Sequence, residues 1–89
     1  MSLVTLIGLA AAFCTTVSYV PQLKKIWQTN ETEDISLKMF LLLWVGIALW
    51  IVYGVMQDDA VIILANSISL AFLSAILFFK LRNLARGSG

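Results

Sequence analysis

The side chain best suited to chemistry is Asn66, a carboxamide within the charge-free run 60–79. A carboxamide in hydrocarbon is costly unless it is hydrogen-bonded, and polar residues in membrane spans generally face a bundle interior or a water-filled cavity. The group offers N–H donors and an oxygen acceptor, so it suits a ligand that carries hydroxyl groups. A hydrogen bond to a neighbouring helix would satisfy it equally well. Chemistry alone leaves both interpretations open.

A glycine-flanked aromatic pair forms a second candidate site. Gly46, Trp50 and Tyr53 recur at i, i+4 and i+7, so they share one side of a helix. Gly46 leaves space one turn away from the indole, and an indole beside a gap can stack on a flat, partly apolar ligand. The alternative is that Gly46 only admits a neighbouring helix.

The third feature is Pro21, which lies near the end of an uncharged stretch that reaches from Met1 to Leu23. A proline removes one helical hydrogen bond and crowds the carbonyl of Val17, so the helix bends or opens there. Membrane helices tolerate this when neighbouring helices or hydroxyl groups satisfy the freed carbonyl, and Ser18 is close enough to help. Pro21 therefore either ends the first helix or forms a hinge inside the membrane.

Several kinds of chemistry are excluded by composition. The sequence has no histidine, and all five acidic residues lie outside the three apolar runs described below. A buried acid–base pair, a metal cluster or a proton relay therefore has no side chains to form it. Six basic residues are too few for nucleic-acid binding. We expect no catalytic residues, no metal, no cofactor and no enzyme activity.

Three charge-free runs, 1–23, 39–57 and 60–79, must position these residues. The chain is 61% hydrophobic and only 12% charged, whereas ordinary globular domains are about 45–50% apolar and about 25% charged. A helix of about 20 apolar residues crosses a bilayer core. The pattern predicts one membrane domain, 1–86, with helices at about 2–25, 35–57 and 59–82. The remaining Gly-Ser-Gly at 87–89 reads as a flexible tail or a cloning remnant.

The basic residues predict the orientation. Lysines and arginines fall only in the segment 24–38 and after residue 79, whereas the link 57–59 has none. The positive-inside rule then places the N-terminus outside and the C-terminus in the cytoplasm. At the start of the second helix, either Asp34 or Ser36 can cap free backbone N–H groups. Three helices cannot enclose a solute path by themselves, so a transporter would need a second copy, most simply in a symmetric dimer.

The motifs taken together resemble a known family. TTVSYVPQ at 15–22 resembles the proline–glutamine signature of the PQ-loop and SWEET superfamily. Further matches are DIS at 34–36, LWIVYG at 49–54 and IILAN at 62–66. The small size and three-span layout narrow the resemblance to the bacterial SemiSWEET sugar transporters, over residues from about 8 to about 80.

The resemblance implies an all-α membrane protein that works as a parallel homodimer, each protomer a three-helix bundle in the order 1-3-2. Some relatives pair the acidic residue of the outer gate with an arginine, where this chain has Gln57, so an ion-paired gate is not expected. The residues that match the family's functional positions are Trp50, Asn66 and Gly46 for substrate binding, Pro21 and Gln22 for the hinge, and Tyr53 and Asp59 for the outer gate. Tyr19, Phe40 and Leu41 are candidates for the inner gate.

The function implied by the resemblance is uncoupled transport of a small neutral sugar, glucose or sucrose, across the bacterial inner membrane. The sequence supports the absence of coupling, because no apolar run carries a carboxylate, histidine or lysine to bind a driving proton. Partners would be the sugar, a second copy and membrane lipid. Two alternatives remain: a PQ-loop-like carrier of a charged or other small metabolite, and a membrane assembly subunit that transports nothing.

Overall fold

The computed structural model describes residues 2–87 and contains three helices in that range. They are α1 (Leu3–Thr29), α2 (Leu37–Met56) and α3 (Ala60–Ala85). Each is long and apolar enough to cross a membrane, with mean hydropathy of 1.9, 2.3 and 2.4. The helices α1 and α3 extend a few residues beyond the ends expected near 25 and 82. Of the expected tail 87–89, Gly87 forms a turn with φ +76°, and 88–89 lie outside the described residues.

Short polar side chains begin and end the helices. Ser36 caps α2, because its Oγ accepts from the backbone N–H of Met39 at 3.3 Å. Of the two candidates in the sequence, Ser36 is thus the cap. Asn30 ends α1 in the left-handed conformation, with φ 56°, and its N–H donates to the carbonyl of Ile26.

The helix α3 lies between the other two. It packs against both α1 and α2, and α1 and α2 do not contact each other, which confirms the predicted order 1-3-2. The Cα atoms extend over 49 × 24 × 14 Å. The shortest of these dimensions, 14 Å, is little more than half of the 24 Å width. Because α1 and α2 each pack on α3 and not on each other, the protomer is a flattened layer with two broad faces.

Glycines permit the close helix contacts. A Cβ added at Gly8 would lie 2.7 Å from a methyl group of Val61, and one added at Gly54 would lie 2.9 Å from a methyl group of Ile62. Small residues at such contacts let membrane helices approach closely. Gly8 is thus a packing residue at the contact between α1 and α3.

The buried core is small, and most large apolar side chains are exposed. Its apolar members are Ile47, Leu73, Ile76 and Leu77, and no residue of α1 is buried within the protomer. Contiguous apolar surface of this extent is not stable in water. Together with the three spanning helices, it identifies a multi-pass membrane protein.

The glycine contacts predict a difference between two single substitutions. Gly54→Ala should lower the melting temperature in detergent, because the new methyl group forces the Ile62 side chain aside at a cost of about 1–3 kcal/mol. The matched control is Gly46→Ala, where an added Cβ meets nothing within 4 Å. Alanine there should be neutral or stabilising by up to about 1 kcal/mol. Equal melting temperatures for the two variants would contradict the close α2–α3 contact at Gly54.

Candidate substrate-binding face

One broad face of the layer carries the predicted binding residues, and we call it the site face. On α2, Gly46 and Trp50 lie on one side of the contact with α3. On α3, Asn66 lies in the sector between the contacts with α1 and α2. On α1, Thr15 and Gln22 lie on the same side of the layer. The opposite side, which carries Trp44 and Phe72, is the reverse face.

Trp50 stands beside open space on the site face. Its side chain is 54% exposed, and its ring meets Tyr53 edge-on, with ring centroids 5.4 Å apart. Trp50 lines a depression with Gly46, Leu49 and Tyr53. Nothing lies within 4 Å of a Cβ added at Gly46, so Gly46 does not admit a neighbouring helix within the protomer. The glycine instead leaves one flank of the indole open, as a stacking site requires.

Asn66 is half-buried and bonds its own helix. Its Nδ2 donates to the carbonyl of Ile62 at 2.9 Å, and no hydrogen bond joins it to another helix among residues 2–87. The interhelical bond, one of the two interpretations that the sequence leaves open, is therefore not made within the protomer. The oxygen Oδ1 and a second N–H are left for another partner. They face a depression between α1 and α3, where Gly8, Thr15 and Ser69 also lie.

The two candidate ligand contacts do not form one pocket in a single protomer. Trp50 and Asn66 share the site face but line separate depressions, one on α2 and one between α1 and α3. Both depressions are open. An enclosed pocket requires something that covers the site face.

The helix α1 continues through Pro21 to Thr29. The interpretation that Pro21 ends the first helix is therefore wrong. Next to the proline, Gln22 Nε2 donates to the carbonyl of Ser18 at 3.2 Å, and Ser18 Oγ donates to the carbonyl of Thr15 at 2.7 Å. Ser18 therefore bonds the carbonyl of Thr15, two residues before the Val17 carbonyl that Pro21 frees. Side-chain bonds of this kind to a helix's own backbone often accompany bends.

The two predicted outer-gate residues are not joined within the protomer. Asp59 caps α3, where its Oδ1 accepts from the backbone N–H groups of Val61 and Ile62 at 3.1 and 3.2 Å. Tyr53 contacts Trp50 instead. Among the residues that the structure describes, no hydrogen bond links Tyr53 to Asp59.

The inner-gate candidates lie apart from one another. Tyr19 stacks on Phe72, with centroids 5.6 Å apart and an interplanar angle of 21°. Phe40 packs against the buried core. Leu41 lies on the reverse face, in a depression that it shares with Trp44.

Comparison with known proteins gives the family. A family model described as "Sugar efflux transporter for intercellular exchange" matches residues 2–84. A protein named Sugar transporter SemiSWEET from Bradyrhizobium diazoefficiens is 48% identical over 80 residues, which cover 90% of this chain and 93% of the relative. One of the same name from Leptospira biflexa is 47% identical over 76 residues, or 85% and 89% of the two chains. The chain belongs to the SemiSWEET family.

The structural match agrees with this membership. A crystal structure of SemiSWEET in the inward-open conformation superposes with a TM-score of 0.88 at 36% identity, covering 98% of this chain and 94% of that one. The SemiSWEET relatives are named as transporters, which confirms the expectation that the chain is not an enzyme.

Sequence reasoning missed a cluster of polar contacts that ties the α1–α2 link to the end of α3. Lys80 is only 5% exposed, and its Nζ donates to the backbone carbonyl of Thr32 at 2.9 Å. Asn83, 1% exposed, donates through Nδ2 to the carbonyl of Asn30 at 2.9 Å and to Thr32 Oγ1 at 2.8 Å. Arg82 Nη2 donates to Asn30 Oδ1 at 2.6 Å. We call these five residues the polar clamp.

The clamp changes the interpretation of the basic residues near the C-terminus. In the sequence, Lys80 and Arg82 indicate only the orientation of the chain. Arg82 also lies over the ring of Phe79, 4.8 Å from its centroid. The only signal in the sequence was Asn83, a carboxamide that follows an apolar run and has no obvious partner nearby in the chain.

The clamp predicts a stability loss on Asn83→Ala. The substitution removes the Nδ2 group that donates to the Asn30 carbonyl and to Thr32 Oγ1. Because both acceptors lose this hydrogen bond, the free energy of unfolding should fall by about 1–3 kcal/mol. Thermal unfolding in detergent measures the loss. Arg86→Ala, at an exposed position at the end of α3, is the control and should change stability by no more than about 0.5 kcal/mol. Similar stabilities for the two variants would mean that the clamp contributes little.

Proposed function

We propose that the chain is an uncoupled transporter of small neutral sugars that works as a homodimer by alternating access in the bacterial inner membrane. The observation that carries the proposal is the site face: an indole with one open flank and a carboxamide with free hydrogen-bonding atoms lie on the same side of a spanning layer. The chain's family is one whose members are named as sugar transporters.

The flat layer is the argument for a dimer. A protomer flattened in this way leaves the depressions of Trp50 and Asn66 open on one side. A second copy, related by a two-fold axis along the membrane normal, would cover the site face with its own site face. The enclosed space would then contain two copies of Trp50, two of Asn66 and two of Gly46.

These residues suit a sugar. The face of a pyranose ring carries C–H groups, which pack on an indole, while its hydroxyl groups both donate and accept hydrogen bonds. Asn66 offers an acceptor and a donor that its helix does not use. The open space at Gly46 supports admission of a disaccharide such as sucrose beside glucose.

Alternating access would use Pro21 as the hinge of α1, with Gln22 bonding the neighbouring carbonyl of Ser18. The outer gate would close through Tyr53 and Asp59, by hydrogen bonds rather than an ion pair. Tyr19, Phe40 and Leu41 remain the inner-gate candidates, and the position of Tyr19 against α3 near Pro21 is the best suited of the three. By the positive-inside rule, the basic residues support an orientation with the N-terminus outside and the C-terminus in the cytoplasm.

Neither alternative function has a supporting observation. A carrier of charged metabolites would need a fixed charge near Trp50 and Asn66, and the residues that line those two depressions are uncharged. An assembly subunit would use Asn66 as a bond between helices, whereas in the protomer it bonds its own helix.

Uptake into proteoliposomes tests the proposal directly. Labelled glucose and sucrose should enter without an ion gradient, and Trp50→Ala or Asn66→Ala should each lower uptake at least about tenfold, the factor that corresponds to about 1.4 kcal/mol. The matched control is Trp44→Phe on the reverse face, where the indole bonds Ser74. Its uptake should stay close to that of the parent. Uptake that depends on an imposed proton gradient would refute the uncoupled mechanism, and no sugar uptake at all would refute the substrate class.

The hinge predicts that Pro21→Ala lowers transport more than sugar binding. Alanine restores the missing helical N–H and stiffens α1, while the depressions of Trp50 and Asn66 are not lined by residue 21. Sugar affinity, measured by calorimetry in detergent, should stay within about twofold, and the uptake rate should fall at least about tenfold. Val17→Ala, one turn earlier, serves as the control. Equal losses of affinity and uptake would count against a hinge.

A further inference from the structure

The reverse face carries a groove that the proposed transport function does not use. It lies between α1 and α3 and has a volume of about 600 Å³. Its wall is apolar and is formed by Val20, Leu23 and Phe72. Helix geometry places this wall on the side of α1 away from Asn66. The groove is therefore separate from the site face.

The other end of the groove is polar. Lys24, Trp27 and Gln28 line it there, about one to two turns further along α1 than Val20. Lys24 is the first charged residue of α1, so it marks the level at which the helix leaves the hydrocarbon. Trp27 is 75% exposed, as expected for an indole at the membrane interface. The groove thus spans the boundary between acyl chains and headgroups.

The charge at the polar end favours an anion. Lys24 is the only ionisable residue that lines the groove, and no ion pair engages it within residues 2–87. The neighbouring Lys25 is in a different environment, because it lines a depression on the other side of α1 together with Glu31, Glu33 and Asp34. The two adjacent lysines therefore differ in their surroundings. Lys25 shares its depression with three carboxylates, whereas no carboxylate lines the groove at Lys24.

We propose that this groove binds an anionic glycerophospholipid of the leaflet at that end of the layer. An acyl chain would lie on Val20, Leu23 and Phe72, and the phosphate would meet the Lys24 ammonium. The Gln28 amide and the Trp27 indole N–H are further donors at the same level. That the reverse face meets lipid rests on the proposed function, which assigns the site face to the second copy. The test below does not use transport, so the two proposals fail separately.

The test compares the lipids retained by the purified dimer. Native mass spectrometry in detergent, with equal amounts of phosphatidylglycerol and phosphatidylcholine, gives the ratio of the two bound lipids for the parent, Lys24→Gln and Lys25→Gln. The parent should prefer phosphatidylglycerol about fivefold, the factor for about 1 kcal/mol per lysine near a membrane surface. Lys24→Gln should lose most of this preference, and Lys25→Gln should keep it.

A second measurement locates the lipid. Phosphatidylglycerol with a spin-labelled headgroup should quench tryptophan fluorescence, and Trp27→Phe should remove most of the quenched component. Equal losses of preference in both lysine variants would show diffuse surface charge and overturn the proposal. Three further outcomes would overturn the proposal. No preference in the parent would indicate an unselective groove, and displacement of the lipid by millimolar inorganic phosphate would indicate a site for soluble anions. A loss of dimer in Lys24→Gln would indicate that the groove is a protein contact.

Discussion

The thickness of the protomer is the constraint on which the rest of the structure depends. With α3 in the middle and no contact between α1 and α2, the chain forms a layer whose shortest dimension is 14 Å. Such a layer has no interior large enough for a solute. Its polar side chains can be satisfied by their own helix, by the adjacent helix, as where the Trp44 indole donates to Ser74, by the link regions, or by whatever covers a broad face. This is why Trp50 and Asn66 lie in open, separate depressions.

Polar groups in the middle of the layer and at its end are satisfied differently. In the middle, Ser18, Gln22 and Asn66 bond carbonyls of their own helices. The local bond of Asn66 uses only one of its N–H groups and leaves Oδ1 without a hydrogen bond among the described residues. At the end, Lys80 and Asn83 bond residues some 50 positions away in the chain, and both are nearly fully buried. Apart from the Trp44–Ser74 bond, the bonds of the middle are thus local, while those of the end join distant parts of the chain.

The sequence predicted the parts of this arrangement that depend on local composition. The three spans follow from charge-free runs, because burying charge in hydrocarbon is costly wherever it occurs. The helix order came from the family resemblance rather than from local signals. The polar clamp could not be predicted, because the partners of Lys80 and Asn83 include backbone carbonyls of a distant link. The separation of Trp50 from Asn66 was equally invisible, since it depends on the flatness of the layer.

The clamp also bears on how α1 could bend. Before Pro21, α1 is held close to α3 where Gly8 meets Val61. After Pro21, it is held where the Asn30 carbonyl accepts from Asn83. The helix α3 contains neither glycine nor proline between Ala60 and Ala85, so it has no comparable weak point. A bend at Pro21 would therefore move the part of α1 between its contact at Gly8 and its contact at Asn30. The stretch around Tyr19, which lies on Phe72 of α3, is where the packing between α1 and α3 would have to change.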